Sequence, residues 1–297
     1  MLMKYAYYPG CSLLASAVEY ARSAEAVLGA LGVELDEIED WVCCGATPAH
    51  ATSHLLSLAL PAISCAEAEK KGQDVLTCCA ACYSRLKLAC REIKDDPELR
   101  GKVNEIIEEE FSGNVRVLHV AEVLAGEIGL QAIAERVVKP LRGLKVACYY
   151  GCLMARLPDD LRIDNPEYPM MLDYLMRTAG AEAVEWPFKT ECCGAALTLA
   201  RPKTVVRLSG DIIRMAKENG ADVIAVACPL CQANLDMYQS DAESTSGQQL
   251  GMPVLYFTQL LGLALGIEHR RLCLDKLIVD PLPVLAGKRL VRGGVYL

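Results

Sequence analysis

Concentrated positive charge is missing from this sequence. Its 30 lysine and arginine residues are outnumbered by 38 acidic residues, the net charge is −8, and no basic block occurs. Sequence-independent binding to nucleic acid needs such a block, because its affinity comes from neutralised phosphates. We therefore expect no nucleic-acid partner.

The sequence also lacks a long apolar run and a secretory leader. Its longest apolar stretch, 254–267, is broken by Thr258 and Gln259 and falls short of the roughly 18 residues that a spanning helix needs. The first ten residues show no charged start followed by an apolar core and a cleavage site. We therefore expect no membrane span and a reducing, cytoplasmic location.

Motifs for common electron carriers are absent as well. No G-x-G-x-x-G follows the first predicted strand, so we expect neither flavin nor nicotinamide on this chain. No C-x2-C-x2-C-x3-C run of the ferredoxin type occurs either. The sequence therefore shows no route of its own by which electrons would arrive.

Cysteine, by contrast, is abundant. The chain has 15 cysteines, yet 53% of its residues are hydrophobic, so it can build a core without covalent cross-links. Dense disulfides are typical of small secreted domains. In a reducing compartment this many cysteines indicate metal or redox chemistry.

The chain is an internal duplication. The offset between the copies is 141 residues at the first cysteine and 149 at the later ones, so the second copy has eight extra residues. We place them in the Pro-containing stretch 158–169, which reads as a loop. The repeat predicts two similar domains, 1–141 and 142–297. The matching segments are 5–11 with 146–152, 43–46 with 192–195, 72–82 with 220–231, and 117–129 with 254–266.

Each half alternates strands and helices. This pattern favours an α/β fold in which each half has a small, largely parallel sheet flanked by helices, the halves being related by pseudo-twofold symmetry. The repeated cysteines follow predicted strands, where such sheets gather ligand chemistry. The predicted strands are 5–8, 75–77, 145–149 and 223–227, and the predicted helices are 18–31, 54–71, 170–179 and 202–219.

Five cysteines recur in the same order in each half: a single cysteine, an adjacent pair and a CxxC. A closed zinc site and an ordinary iron–sulfur cubane each take four ligands, so one cysteine would be left over. Adjacent cysteines cannot easily face one small ion, but they can reach two metal atoms of a cluster. A polynuclear iron–sulfur site therefore fits best, with structural zinc in a scaffold as an alternative. The ten cysteines are Cys11, Cys43, Cys44, Cys79, Cys82, Cys152, Cys192, Cys193, Cys228 and Cys231.

The other five cysteines have no equivalent in the repeat. Buried cysteine behaves as a small hydrophobe, so we interpret them as packing residues. Cys78 adjoins Cys79, but Ala227 occupies its place in the second half, which favours packing there too. These five are Cys65, Cys78, Cys90, Cys148 and Cys273.

Two histidines follow the first cysteine pair. His50 and His54 have the i, i+4 spacing that could bind a metal ion on a helix. Leu199 stands in the place of His50 in the second half, so a helix surface is the favoured interpretation. His50 is near enough to the first cysteine set to be a candidate proton donor.

The duplicated C-x(31 or 39)-CC-x34-CxxC pattern resembles the cysteine-rich CCG domain. A chain of this length with two copies of the domain is similar to the HdrB-type component of heterodisulfide reductase. Four segments add to the similarity: YYGC, ECCG, CPLCQANL and YFTQL. The resemblance implies two non-cubane 4Fe-4S clusters that cleave a bound disulfide, such as that of coenzyme M and coenzyme B. It places one cluster on Cys11, Cys43, Cys44, Cys79 and Cys82, and the other on Cys152, Cys192, Cys193, Cys228 and Cys231.

The resemblance also implies partners and an enzyme class. The chain would be an oxidoreductase acting on sulfur groups within a multi-subunit complex. Electrons would come from an HdrC-like ferredoxin subunit together with an HdrA-like flavin subunit, which can connect to hydrogenase or formate dehydrogenase. The substrate would be a small disulfide or the cysteines of a sulfur-carrier protein. A CCG subunit of a lactate, glycolate or succinate-oxidising complex remains an alternative.

Overall fold

The computed structural model describes residues 3–291, with the backbone alone at Thr47. The strands of the first half are β1 (Met3–Tyr7), β2 (Val33–Glu37), β3 (Val75–Thr77) and β4 (Val117–His119). Its helices are α1 (Gly10–Leu14), α2 (Val18–Ala30), α3 (Ala46–Thr52), α4 (His54–Lys70), α5 (Ala80–Asp95), α6 (Pro97–Ile107), α7 (Val120–Glu122) and α8 (Leu130–Arg136), with a π-helical segment at Val123–Gly129.

The second half repeats this order. Its strands are β5 (Lys145–Tyr149), β6 (Glu182–Ala183), β7 (Val223–Val226) and β8 (Val254–Tyr256). Its helices are α9 (Gly151–Ala155), α10 (Met171–Thr178), α11 (Pro202–Glu218), α12 (Pro229–Met237), α13 (Gln239–Ser246), α14 (Phe257–Ala264) and α15 (Leu282–Gly287), with 3₁₀ turns at Asp159–Leu161, Ala195–Leu197 and Leu274–Lys276.

Each half builds one four-stranded sheet in which every strand pair is parallel. The strand orders are β2-β1-β3-β4 and β6-β5-β7-β8. The direction of chain progression reverses between β1 and β3, and again between β5 and β7. A crevice opens at the carboxyl ends of the strands at such a switch point, and ligands bind there. The α/β prediction is confirmed.

The predicted helices agree with the structure to within one residue at each end, and the predicted strands to within two. The stretch 158–169 is irregular apart from one 3₁₀ turn. The four edge strands β2, β4, β6 and β8 have no counterpart in the predictions, and β4 and β8 have only three residues each. The sequence of β2, VELDE, carries charge suited to a solvent-facing edge and reads as polar, while β6 has only two residues.

The two halves are packed reciprocally. Helix α14 of the second half lies on α2 of the first, while α8 and the π-helical segment of the first half lie on α10 of the second. The ring of Tyr20 stacks on that of Tyr256 with centroids 4.0 Å apart, and the Ser23 and Thr258 hydroxyls are 2.7 Å apart. Helices α5 and α12 likewise pack on α9 and α1 of the opposite half. These exchanged contacts relate the halves by a pseudo-twofold axis. The boundary near residue 142, between α8 and β5, stays a proposal.

A buried ion pair supports the turn that leads to Cys152. The ammonium of Lys189 donates to Asp173 at 2.7 Å, and both side chains are 1% exposed. The Tyr150 hydroxyl donates to the other Asp173 oxygen at 2.7 Å. The Lys189 carbonyl accepts the amides of Tyr150 at 2.9 Å and Gly151 at 3.1 Å. The network therefore connects one buried charge pair directly to the backbone before the cysteine.

Replacing Asp173 with Asn should be strongly destabilising, because the Lys189 ammonium would stay buried without a carboxylate. We expect the free energy of unfolding, measured by urea denaturation under argon, to fall by about 3–5 kcal/mol. Asp159→Asn is the control, since that carboxylate pairs with Arg162 at 2.7 Å on the surface and should contribute less than about 1 kcal/mol. Equal losses in the two variants would contradict the role of the buried pair.

Candidate functional site

The first cysteine of each half follows a glycine that approaches a CxxC sulfur. Gly10 has φ +66° and Gly151 has φ +68°, in the left-handed region that favours glycine. A Cβ on Gly10 would lie 3.0 Å from Cys82 Sγ, and a Cβ on Gly151 would lie 3.0 Å from Cys231 Sγ. Glycine at the end of β1 and β5 therefore brings the following cysteine beside the CxxC.

The adjacent cysteines divide into a buried and an exposed partner. Cys44 and Cys193 are each 2% exposed, whereas the residue before each of them is exposed. The Sγ atom of Cys44 lies 3.5 Å from that of Cys82, and the Sγ atom of Cys193 lies 3.6 Å from that of Cys231. Each half thus has a buried sulfur pair that joins the CC motif to the CxxC.

The exposed partners make a second sulfur pair in each half. The Sγ atom of Cys152 lies 3.8 Å from that of Cys192, which also accepts the amide of Gly194 at 3.3 Å. In the first half, Cys43 and Cys11 contact each other in the same way. The structure therefore brings together four cysteines of each predicted set by these two pairings.

The fifth cysteine of each set connects the two halves. Cys79 and Cys228 are each 3% exposed. A hydrogen bond with Cys228 is the main reason why the pKa of the Cys79 thiol is raised. Each of the two thiols also contacts the second cysteine of its own CxxC. The two predicted ligand sets therefore meet at the pseudo-twofold axis.

A buried histidine that sequence reasoning missed lies at this junction. The Nδ1 atom of His119 accepts the amide of Ala121 at 3.1 Å, which leaves the ring hydrogen on Nε2. Nε2 donates to the carbonyls of Cys78 at 2.8 Å and Ala227 at 3.1 Å, the residues just before Cys79 and Cys228. Burial lowers the His119 pKa, so the ring is neutral. The only sequence signal was its place at the end of β4, where the second half has a tyrosine.

Hydrogen bonds between thiols prepare three cysteines as thiolates, the form that binds metals. A hydrogen bond from Cys82 lowers the pKa of Cys44 to about 7 although burial opposes it, and the Arg85 guanidinium adds to the effect. A hydrogen bond from Cys152 lowers the pKa of Cys192 to about 6. A hydrogen bond from Cys231 likewise lowers the pKa of Cys228 well below its ordinary value. Two buried sulfurs and one exposed sulfur are therefore poised as ligands, one in the first half and two in the second.

The donor set fits a polynuclear iron–sulfur group. Thiolates are soft ligands that select zinc, copper(I) or iron–sulfur clusters. Within residues 3–291, no three His, Cys, Asp or Glu side chains are arranged to hold a single metal ion. Five thiols per half, supplied by three loops at one sheet edge, suit a ligand with several metal atoms.

A cavity of about 230 Å³ opens between the halves at the second cysteine set. A larger groove of about 640 Å³ lies elsewhere, between α11 and α13, and contains no cysteine. The sulfur-lined cavity is therefore the candidate reaction site. Its second-half wall includes Cys152, Cys192, Cys193, Cys228 and Cys231, and its first-half wall includes Ala46, His50, Ala80, Ala81 and Arg85.

The structure separates the two histidines that the sequence analysis paired. Ser53 is extended, with φ −157° and ψ 133°, and separates α3 from α4. His50 therefore lies in the last turn of α3, whereas His54 is the first residue of α4. His54 Nε2 contacts Glu92 at 2.8 Å on the surface, whereas His50 lines the cavity. Both rings are exposed, which agrees with the helix-surface interpretation that the sequence analysis favoured over a metal site. The role of His50 as a proton donor stays a prediction.

The cysteines outside the repeat lie where packing residues are found. Four of them are buried, and Cys273 is partly buried. Cys65 and Cys90 contact each other between α4 and α5. The buried four are Cys65, Cys78, Cys90 and Cys148.

The family model of the cysteine-rich domain CCG matches residues 5–87 and 146–236. The chain therefore belongs to the CCG cysteine-rich domain family, with two copies of the domain. Among solved structures, a hypothetical protein from Helicobacter pylori superposes with a TM-score of 0.75 at 15% identity, over 93% of this chain and 52% of that one. This chain spans about half of that solved chain, and the likeness concerns the fold.

Curated relatives match over almost the whole length. The chain is 33% identical to the 8-methylmenaquinol:fumarate reductase membrane anchor subunit of Wolinella succinogenes, over 94% of this chain and 98% of that one. It is 28% identical to the HdrB component of the ferredoxin/F(420)H(2)-dependent CoB-CoM heterodisulfide reductase of Methanosarcina acetivorans (96% and 97%). It is 30% identical to an HdrB-like heterodisulfide reductase protein of Archaeoglobus profundus (91% and 93%). The resemblance to HdrB is confirmed.

Among residues 3–291, none of the helices combines the length and the apolar character needed to cross a bilayer.

Substituting His119 with Phe should loosen both CxxC turns, because two buried carbonyls would lose their donor at a cost of about 1–3 kcal/mol. We expect faster amide hydrogen exchange in both segments 78–82 and 227–231, together with a lower free energy of unfolding. Tyr256→Phe is the matched control at the equivalent strand end, because it keeps the ring that stacks on Tyr20 and removes a hydroxyl that interacts with Glu19 and with no CxxC carbonyl of residues 3–291. Faster exchange in the first segment alone would show that His119 does not connect the halves.

Proposed function

We propose that this chain is the disulfide-reducing subunit of a heterodisulfide reductase-like complex. The observation that carries the proposal is the cavity between the halves, whose wall includes sulfur atoms of one complete cysteine set. The second set meets the first through Cys79 and Cys228. A small disulfide bound where the two sets meet would lie beside both halves of the duplicated site.

Each half would hold one non-cubane 4Fe-4S cluster on its five repeated cysteines. When bound, the two clusters would supply the two electrons that a disulfide requires and iron atoms that accept the thiolate sulfurs. The proposed ligands are Cys11, Cys43, Cys44, Cys79 and Cys82 in the first half and Cys152, Cys192, Cys193, Cys228 and Cys231 in the second.

The side chains of the cavity are suited to the other needs of this reaction. Cleavage of a disulfide produces thiolates, which leave more readily when positive charge is nearby. Arg85 is a cation in the cavity wall. His50 Nδ1 contacts the Ala46 carbonyl at 3.1 Å, which leaves Nε2 as the atom that would deliver a proton to a product thiolate. Because His50 is exposed, solvent can protonate it again.

The chain requires an electron donor, and we propose an HdrC-like ferredoxin subunit fed by an HdrA-like flavin subunit. Hydrogenase or formate dehydrogenase modules would stand further upstream. The names of the relatives support an assembly of several chains. We also propose a cytoplasmic location, because a reducing compartment keeps thiols free for metal binding.

A second candidate function is supported by the 33% identity with the fumarate reductase membrane anchor subunit of Wolinella succinogenes. In that case the chain would pass electrons within a succinate or fumarate oxidoreductase complex, and no disulfide would be cleaved in the cavity. This agrees with the succinate-type alternative from the sequence. Structural zinc remains a third possibility for the cysteines.

Replacing Cys193 with Ser should remove the cluster of the second half, because a buried ligand would be lost. We expect iron in the anaerobically purified protein to fall from roughly eight to roughly four atoms per chain. Reduction of a disulfide by reduced viologen should fall at least about a hundredfold, from the loss of one redox group. Cys273→Ser, a cysteine of the same half outside the repeat, is the control. Unimpaired turnover would refute the disulfide proposal, and zinc without acid-labile sulfide would favour the scaffold.

The two redox functions can be separated with the complex purified through this chain. The disulfide-reducing function predicts that reduced viologen reduces small disulfides in the absence of fumarate. The function in a fumarate reductase-type complex predicts that a menaquinol analogue drives fumarate reduction and that no disulfide is reduced. Spectroscopic reoxidation of the viologen and of the quinol, measured in parallel, decides between them.

A further inference from the structure

The two pairs of adjacent cysteines lie on loops that the backbone alone does not hold. Segments 41–44 and 191–193 belong to no helix or strand, and within residues 3–291 neither takes part in a backbone–backbone hydrogen bond. Buried amides and carbonyls need partners, so such a loop depends on side chains to bond its backbone. The side chains that do so therefore fix the positions of the paired sulfur atoms.

In each half, one tyrosine bonds the loop of the cysteine pair. The Tyr8 hydroxyl donates to the Val42 carbonyl at 2.7 Å, and the Tyr149 hydroxyl donates to the Glu191 carbonyl at 2.6 Å. Both carbonyls belong to the residue directly before the adjacent cysteines, and both tyrosines stand three residues before the first cysteine of their set. The duplicated halves therefore repeat one buried hydrogen bond at the same place.

Each tyrosine ring also packs against the turn that leads to the first cysteine. A Cβ on Gly10 would lie 3.2 Å from Cε1 of Tyr8, and a Cβ on Gly151 would lie 3.6 Å from Cε1 of Tyr149. The same Cβ positions are 3.0 Å from the sulfur atom of the second CxxC cysteine in their half. Each tyrosine therefore lies where the three cysteine-bearing segments of its half meet.

Four cysteines of one set are close enough to each phenol to act on it. Burial raises the pKa of both phenols, and the thiols of the same set add to the rise, so the hydroxyls stay protonated. The cysteines that act on Tyr8 are Cys82, Cys44, Cys43 and Cys11, and those that act on Tyr149 are Cys231, Cys193, Cys152 and Cys192.

Each loop has one further side-chain anchor, but that anchor differs between the halves. In the first half, Ser64 Oγ accepts the Val42 amide at 3.3 Å. In the second half, the Asn234 side chain donates to the Cys193 carbonyl at 3.1 Å. The first anchor holds the residue before the pair and the second holds the pair itself, so only the tyrosine bond is common to both halves.

We propose that Tyr8 and Tyr149 are positioning residues, each of which holds the paired sulfur atoms of its own half in place to bind the proposed cluster. The hydroxyl fixes the carbonyl before the pair, while the ring supports the turn of the first cysteine. Outer-shell hydrogen bonds of this kind orient metal ligands. The inference rests on the proposed function for the group that the sulfur atoms would bind, whereas the anchoring of the loops rests on the hydrogen bonds.

Amide hydrogen exchange in the full chain, purified anaerobically with its metal content, tests the anchoring. Phenylalanine keeps the ring and removes only the hydroxyl. We expect Tyr8→Phe to speed exchange about threefold to tenfold in segment 41–45, and Tyr149→Phe to do so in segment 191–195, as the loss of one hydrogen bond implies. Each variant should leave the loop of the opposite half unchanged, so the two variants control each other.

Tyr5→Phe is a further control, because Tyr5 lies on the strand that leads to Tyr8 but its hydroxyl is near the charges of Glu127 and Arg116. It should leave exchange in both loops unchanged. Unchanged exchange in the anchored loop of Tyr8→Phe or Tyr149→Phe, or an equal increase in Tyr5→Phe, would overturn the proposal.

A redox titration followed by electron paramagnetic resonance separates positioning from general stability. With one cluster in each half, we expect each tyrosine variant to shift the potential of one reduction step and to leave the other step in place, because hydrogen bonding around the ligands sets the potential. Two reduction steps that both stay in place would overturn the positioning role. Faster exchange confined to one loop, in a protein that contains no acid-labile sulfide, would refute the proposed function and leave the anchoring standing.

Discussion

A single buried imidazole connects the two halves at the point where their cysteine sets meet. The Nε2 hydrogen of His119 is shared by the carbonyls of Cys78 and Ala227, which come from different halves. Each carbonyl directly precedes the first cysteine of a CxxC, so neither turn can move without affecting the other. Burial keeps the ring neutral by lowering its pKa, and the Ala121 amide selects the tautomer. The shared cavity depends on this junction, because residues of both turns line it, Ala80 and Ala81 from the first and Cys228 and Cys231 from the second.

Duplication supplies two equal sheets, and a few substitutions make the site between them unequal. Parallel strands carry both cysteine sets to the same kind of sheet edge, and exchanged helices such as α14 on α2 hold the edges together. The charge is not duplicated, because Arg85 corresponds to Asn234 and His50 to Leu199. The buried Lys189–Asp173 pair supports the second half. A symmetric scaffold thereby presents an asymmetric surface to a ligand.

Local sequence patterns predicted the structural features that depend on neighbouring residues, such as the ends of helices. Glycines 32, 72, 180 and 220 mark the ends of the predicted helices, and the structure ends those helices within two residues of them. The edge strands β2, β4, β6 and β8 escaped prediction. A charged strand has no apolar pattern, a strand of two or three residues carries little of one, and each of these strands forms only when its neighbour supplies hydrogen bonds. The histidine pair was separated by Ser53, whose hydroxyl accepts the Leu56 amide at 3.4 Å and caps the start of α4, a helix-start signal that is present in the sequence.

By itself, the sequence determined the duplication, the α/β class and the two sets of five cysteines, because repeat, periodicity and spacing are properties of neighbouring residues. Only the tertiary structure decided that Cys79 meets Cys228, that His119 reaches both CxxC turns, and that Arg85 faces the sulfur atoms of the opposite half. These contacts join residues far apart in the chain. They are set by how the two sheets and their exchanged helices pack, which no local pattern encodes.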